Sequence, residues 1–133
     1  MEIKENTGIM VCVTGQRSCE RLIMHGAQRS ETCAAEEARP PLYVVHCVQT
    51  GQNIMNTPYE ADAMEYLFTC AQVVGAELTV LRADSVEDAL VDFAHENCIG
   101  VIIMGSPADG SPMGRLAARL GERLPEIEFE ILQ

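Results

Sequence analysis

The chain has 133 residues, a length typical of one domain. Hydrophobic residues make up 47% of it and charged residues 22%, which excludes a disordered chain, a collagen-like repeat and a small disulfide-stapled scaffold. The net charge of −11 opposes binding to the phosphate backbone of DNA or RNA. The charge is uneven, because residues 41–100 hold nine acids and one base, Arg82.

Neither membrane insertion nor secretion is expected. The longest apolar runs, 41–48 and 99–104, fall well short of the ~20 residues that a membrane span needs. The first eight residues, MEIKENTG, lack the apolar core of a signal peptide. We therefore expect a cytoplasmic protein that forms one domain over residues 1–133, in which residues 1–8 are a flexible N-terminal extension.

The six cysteines and three histidines form no recognisable metal or disulfide motif. No two cysteines have C-x-x-C spacing, and Cys12 and Cys47 lie in apolar runs, where a free cysteine packs as a small hydrophobic residue. His25, His46 and His95 are isolated from one another and from any cysteine pair. We expect buried, reduced thiols at Cys12 and Cys47, and no metal site.

The first third of the chain predicts a strand, a helix and a second strand. Ile9–Val13 is apolar on both faces, as a strand covered on both sides must be. Ser18 is suited to cap a helix that ends before Pro40. Leu42–Val48 is predicted as the second buried strand.

The next helix has the clearest local signal in the sequence. Thr57 can cap it, Pro58 suits the first helical position, and Glu60 completes a capping box. The helix is predicted to end at Gly75.

The remaining elements continue the alternation. Leu78–Arg82 is predicted as a strand, Ser85 begins a helix, and Ile99–Met104 is an entirely apolar and therefore central strand. A glycine- and proline-rich loop leads to a helix around Leu116–Leu124. In the last strand, over residues 126–131, apolar residues alternate with glutamates, a pattern typical of a strand covered on one face only.

Strands joined by helices of this length predict a three-layer, Rossmann-like α/β fold. Right-handed crossovers give an open, mostly parallel sheet of five strands with helices on both faces. The most apolar strands, Ile9–Val13 and Ile99–Met104, are expected as the central pair. Ligands of such folds bind beyond the carboxyl ends of the strands, where the strand order reverses.

The two segments that follow this central pair form the candidate site. Each leads from a strand into a helix and so presents free backbone N–H groups and the positive end of a helix dipole. Glycines in the second segment let the backbone approach a phosphate closely. The candidate nucleotide-binding residues are Thr14, Gly15, Arg17, Gly105, Ser106, Gly110, Ser111, Gly114 and Arg115.

Arginine is concentrated in these two segments and their helices, as an anion site requires. The arginines concerned are Arg17, Arg21, Arg115, Arg119 and Arg123. The alternative reading, which stays open, is that glycine and proline simply make a turn and the arginines solvate helix faces. The sequence has no P-loop motif, and no Ser–His–acid or Cys–His arrangement can be placed at the crevice, so we expect no catalytic residues.

Several segments resemble the universal stress protein (UspA-like) family, and most closely its module in KdpD-type potassium-sensor kinases. They include Ile9–Val13, Ser18–Ile23, Tyr43–Val48, Ser85–Ala94 and Val101–Gly105. The resemblance implies five parallel strands in the order 3-2-1-4-5 and a homodimer. Some members bind ATP through a G-x2-G-x9-G-[ST] loop and an Asp that ends the first strand. Here Thr14 stands at the Asp position, the loop is shorter, and Arg115 replaces the hydroxyl residue.

The resemblance implies a small cytoplasmic stress-response or regulatory domain, with ATP or another adenine nucleotide as the candidate ligand in the crevice between the first and fourth strands. Expected partners are a second copy and a regulatory protein, with no nucleic acid and no membrane. We expect a protein that is not an enzyme. Two alternatives stay open: an interaction module that has lost ATP binding, and an adenine-nucleotide hydrolase. Glu126, Glu128 and Glu130 are expected on the uncovered face of the last strand, where they oppose direct pairing of two copies.

Overall fold

A computed structural model of the chain describes residues 8–13, 19–32, 41–51, 59–105 and 112–132. Strands and helices alternate along these residues. The strands are β1 (Gly8–Cys12), β2 (Leu42–Gln49), β3 (Glu77–Ala83), β4 (Ile99–Gly105) and β5 (Glu128–Leu132). The helices are α1 (Cys19–Thr32), α2 (Glu60–Val73), α3 (Val86–Glu96) and α4 (Pro112–Arg123).

The five strands form one parallel sheet in the order β3-β2-β1-β4-β5. β1 lies in its centre, where Val11 pairs with Val44 of β2 on one side and with Ile103 of β4 on the other. The predicted fold class, strand order and central pair are confirmed. The order reverses between β1 and β4, since the chain builds outward from β1 to β3 and then returns to place β4 and β5 on the other side.

Two hydrophobic cores lie on opposite faces of the sheet. Successive side chains of a strand point to opposite faces, so Ile9 and Val11 enter one core while Met10 and Cys12 enter the other. α1 and α2 cover the first core, and α3 and α4 cover the second. β1 is buried along its whole length, which explains why its sequence is apolar at every position after Gly8.

Two predicted helix ends are confirmed by their hydrogen bonds. The Asp88 N–H donates to Ser85 Oγ over 3.2 Å, so Ser85 caps α3 as expected. α2 ends in a Schellman motif, in which the N–H of Gly75 donates to Gln72 O and the N–H of Ala76 donates to Ala71 O. Gly75 has a φ of +73°, a conformation that glycine adopts without steric cost.

The predicted start of α2 is wrong. The helix begins at Glu60 with Tyr59 at the N-cap and without a side-chain cap, so Glu60 does not occupy the third helical position of a capping box. Thr57 and Pro58 lie outside the described residues. A capping signature identifies residue types suited to a helix start, but it fixes the first helical residue only to within about two positions. Gly8, assigned above to the N-terminal extension, is the first residue of β1.

β5 is partly covered on both faces, contrary to the expectation of one covered face, and it begins at Glu128, so Glu126 precedes the strand. Phe129 packs on the core under α3 and α4, while Glu128 and Glu130 face α1. Arg29 of α1 binds both carboxylates, at 2.9 Å from Glu128 Oε2 and in direct contact with Glu130 Oε2. His25 Nε2 lies 2.8 Å from Glu130 Oε1. The two glutamates are therefore partners of α1 and not an open charged face.

Candidate functional site

The carboxyl ends of β1 and β4 define the crevice at which the strand order reverses. Val13, directly after β1, is buried, and its N–H donates to Val45 O over 2.9 Å, so β1 stays bonded to β2 up to its end. Gly105 is the last residue of β4 and pairs with Leu132 of β5. Ligands of open parallel sheets bind beyond such a pair of ends.

Three of the nine predicted site residues lie within the described part of the chain. Gly105 ends β4, and Gly114 and Arg115 lie in the first turn of α4. The other six lie outside the described residues: Thr14, Gly15, Arg17, Ser106, Gly110 and Ser111.

The first turn of α4 is suited to an anion. α1 has Glu20 in its first turn and α3 has Glu87 and Asp88, so a carboxylate already lies at the positive end of each of those helices. The first turn of α4 has no acidic residue and includes the exposed Arg115. Among these three helices, α4 therefore offers the most favourable N-terminal field to a phosphate.

The predicted arginine cluster is divided between different surfaces. Arg123 donates to Glu87 Oε2 over 2.7 Å and to Asp88 Oδ1 over 2.6 Å, and Arg119 lies 3.9 Å from the other oxygen of Glu87. Arg119 and Arg123 thus bind the first turn of α3 and do not belong to a common anion site with Arg115. The hydrogen bond from Arg123, followed by that from Ser85, lowers the pKa of the Asp88 carboxyl.

His46, named above only as an isolated histidine, lies in this region. It lies in β2 with 4% of its surface exposed, and its Nδ1 is 2.7 Å from Val13 O, the carbonyl at the end of β1. Burial lowers the pKa of His46, although the bond to Val13 opposes this, so the ring is neutral at pH 7 and Nδ1–H is the donor. His46 therefore ties the crevice end of β1 to β2. Its signal in the sequence is a polar residue inside an apolar strand, which must find a partner when buried.

The two strand cysteines are weak nucleophiles. Cys12 is buried as expected, while Cys47 is only half-buried. Burial, with a contribution from the nearby Cys47, raises the pKa of the Cys12 thiol to about 12, and burial also raises the pKa of Cys47. Both thiols are therefore protonated at neutral pH, and thiolate chemistry at the end of β1 is disfavoured.

In the part of the chain that the structure describes, no group of three or more His, Cys, Asp or Glu side chains is arranged to hold a metal ion. None of the helices in this part of the chain is long and apolar enough to cross a bilayer.

Comparison with known proteins gives matches in structure but not in sequence. No family model matches the chain, and no curated protein matches it. The universal stress protein from Archaeoglobus fulgidus superposes with a TM-score of 0.68 at 20% identity, over 97% of this chain and 95% of that chain. The chain has the fold of universal stress proteins.

Two structures with the same fold were solved as nucleotide complexes. A universal stress protein from Archaeoglobus fulgidus in complex with dAMP has a TM-score of 0.59 at 20% identity, with 95% of each chain covered. A universal stress protein in complex with cAMP has a TM-score of 0.62 at 15% identity, with 98% of each chain covered. The fold expected from the sequence resemblance is thereby confirmed.

Proposed function

We propose that this chain is a universal-stress-type domain that binds an adenine nucleotide at the carboxyl ends of β1 and β4. The observation that carries the proposal is the reversal of strand order between these two strands, in a fold whose neighbours include complexes with dAMP and cAMP. The physiological role that follows is ligand-dependent regulation within a stress response.

The chemistry of the described residues is compatible with a nucleotide phosphate. Gly105 ends β4 without a side chain that could obstruct the crevice. The first turn of α4 combines a positive dipole end, no acidic residue and the guanidinium of Arg115. On the β1 side, the bond from His46 to Val13 keeps the strand end in a fixed position. We assign phosphate binding to Arg115 and the α4 N-terminus, with Thr14, Gly15 and Arg17 completing the β1 side.

The proposal includes binding without turnover, in a cytoplasmic homodimer that contacts a regulatory protein. The protonated state of Cys12 and Cys47 supports binding over thiol catalysis. Support for a homodimer comes from the edge strand β5, where Arg29 compensates the charge of Glu128 and Glu130. A second copy can then approach this edge without meeting two uncompensated carboxylates.

Calorimetric titration with ATP, AMP and cAMP tests the proposal. The parent protein should bind at least one of them, and Arg115→Ala should weaken binding about tenfold or more, since a hydrogen bond to a charged group contributes ~1.5–3 kcal/mol. Arg119→Ala is the matched control, because it removes the same charge from the same helix while Arg119 lies beside Glu87. Its affinity should stay close to that of the parent.

The outcomes separate the alternatives. Equal weakening by both substitutions would indicate general electrostatics and refute the assignment of Arg115. Failure of the parent to bind any of the three nucleotides would favour an interaction module without a ligand. Release of phosphate from bound ATP would instead establish a hydrolase.

A further inference from the structure

α2 exposes large apolar side chains that a folded domain would ordinarily bury. Tyr59, at its N-cap, is 71% exposed, and Val73, at its end, is 76% exposed. Tyr66 lies midway between them and is 40% exposed. Such clustering on one helix points to a contact surface more than scattered single residues would.

These three residues lie along one side of the helix. They are spaced seven residues apart, which is close to two turns, and so they form a stripe about 21 Å long. Phe68 is also 56% exposed but lies about 200° around the helix from Tyr66, on a different side. The α2 stripe, defined as Tyr59, Tyr66 and Val73, has the spacing of the anchors by which one helix packs along another.

Charge identifies what the α2 stripe would bind. Asp62 lies on the stripe between the two tyrosines, Glu65 is next to it, and both are exposed. α2 contains no lysine or arginine, so the negative end of its dipole has no basic residue in the last turn. An acidic rim around apolar anchors complements a basic segment with an apolar face.

We propose that the α2 stripe docks a basic amphipathic α-helix of a partner protein. A second copy of this chain is a poor occupant of the stripe, because two α2 stripes packed together would bring Asp62 and Glu65 of one copy against those of the other. An anionic membrane surface is disfavoured for the same reason, since its headgroups repel Asp62 and Glu65. A helix with apolar residues at seven-residue spacing and lysine or arginine beside them satisfies both the stripe and its rim.

The test uses two synthetic peptides of about 18 residues, long enough to span the stripe. Both contain the same leucines and lysines, but in one the leucines occupy a single helical face and in the other they are dispersed. The amphipathic peptide should bind the parent at least about tenfold more tightly than the dispersed one. In hydrogen exchange, the bound peptide should protect α2 more than α3 or α4.

Substitutions then locate the contact. Tyr59→Ser/Tyr66→Ser/Val73→Ser should weaken binding about tenfold. Phe68→Ser, which removes an aromatic side chain whose exposure lies between those of the two tyrosines but on another side of the helix, should leave binding unchanged. Val73→Ser alone provides a milder variant if the triple substitution lowers the melting temperature. Asp62→Asn should reduce the salt dependence of binding.

Three results would overturn the proposal. The first is equal affinity of the parent and the α2 stripe variants for the amphipathic peptide. The second is no preference of the parent for the amphipathic over the dispersed peptide. The third is a dimer of the parent in sedimentation that the triple variant loses, because a second copy would then be the occupant of the stripe.

Discussion

Gly26 sets how closely α1 packs on the central strand, and replacing it with alanine should destabilise the protein. A Cβ at this position would lie 2.5 Å from Val11 Cγ2 and 3.2 Å from Leu42 Cδ1. Val11 is fully buried and β-branched, so its methyl group has little freedom to move away. Forcing an extra methyl group into such a core costs ~1–3 kcal/mol.

The helix propensity of alanine opposes this cost. Alanine in a helix interior is favoured over glycine by ~1 kcal/mol, so the net loss for Gly26→Ala should lie between about 0 and 2 kcal/mol. Gly121 of α4 provides the matched control, because a Cβ there would meet nothing within 4 Å. Gly121→Ala should gain up to ~1 kcal/mol. The difference between the two variants removes the propensity term and reports the steric cost alone, ~1–3 kcal/mol.

Urea unfolding followed by circular dichroism measures both variants against the parent. Gly26→Ala should shift the midpoint to lower urea, and Gly121→Ala to higher urea, with unchanged slopes. If Gly26→Ala were as stable as Gly121→Ala, α1 could not lie as close to β1 as described, and the packing argument would be refuted.

Three further predictions concern single residues. Cys98 follows α3 and has a φ of +52°, a strained conformation that favours glycine. Cys98→Gly should therefore raise the free energy of unfolding by up to ~1 kcal/mol in urea titrations. A lower free energy of unfolding would contradict the backbone strain at this position. Burial lowers the pKa of His46 in the fold, whereas the unfolded chain takes up this proton at about pH 6.5. The free energy of unfolding should therefore be highest above that pH and fall as the pH drops from about 7.5 to about 5.5. His46→Asn, which retains a donor for Val13 O, should flatten this pH dependence. An equal slope of the free energy against pH in the parent and the variant would exclude His46 as its source. Arg29→Ala should lower the free energy of unfolding by roughly 1 kcal/mol, because it removes the cation shared by the half-buried Glu130 and the exposed Glu128. An unchanged urea midpoint would mean that the two ion pairs contribute nothing to stability.

The fold could be predicted from the sequence because the strongest signals in the sequence are local and repeated. Ile9–Val13 and Ile99–Met104 are apolar at nearly every position, and this pattern is needed only by strands with helices on both sides. Ser85 and Gly75 mark helix ends through contacts within a few residues, which a sequence window contains. The predicted start of α2 is wrong because several neighbouring residues could begin a helix there, and a capping signature fixes the first residue only to within about two positions.

Only the location of the candidate site, and not the partners of its side chains, could be predicted from the sequence. Connectivity places the segments after β1 and β4 together, and this requires no knowledge of side-chain packing. The partners of Arg119 and Arg123 come from α3, more than 30 residues earlier in the chain, and their pairing depends on how two helices lie against each other. The partner of His46 is a backbone carbonyl, which has no signature in the sequence.

The glutamates of β5 show how the same pattern changes meaning with its surroundings. Alternation of apolar and acidic residues predicts one covered face when a strand is considered alone, and it predicts repulsion between two copies that pair at this edge. In a parallel sheet with helices on both faces, the acidic face of β5 lies under α1, and Arg29 binds Glu128 and Glu130 together. The pair then carries one negative charge fewer, and its carboxylates are oriented toward α1. The electrostatic cost of joining two β5 edges is therefore lower than the number of glutamates indicates, and removing Arg29 should raise it.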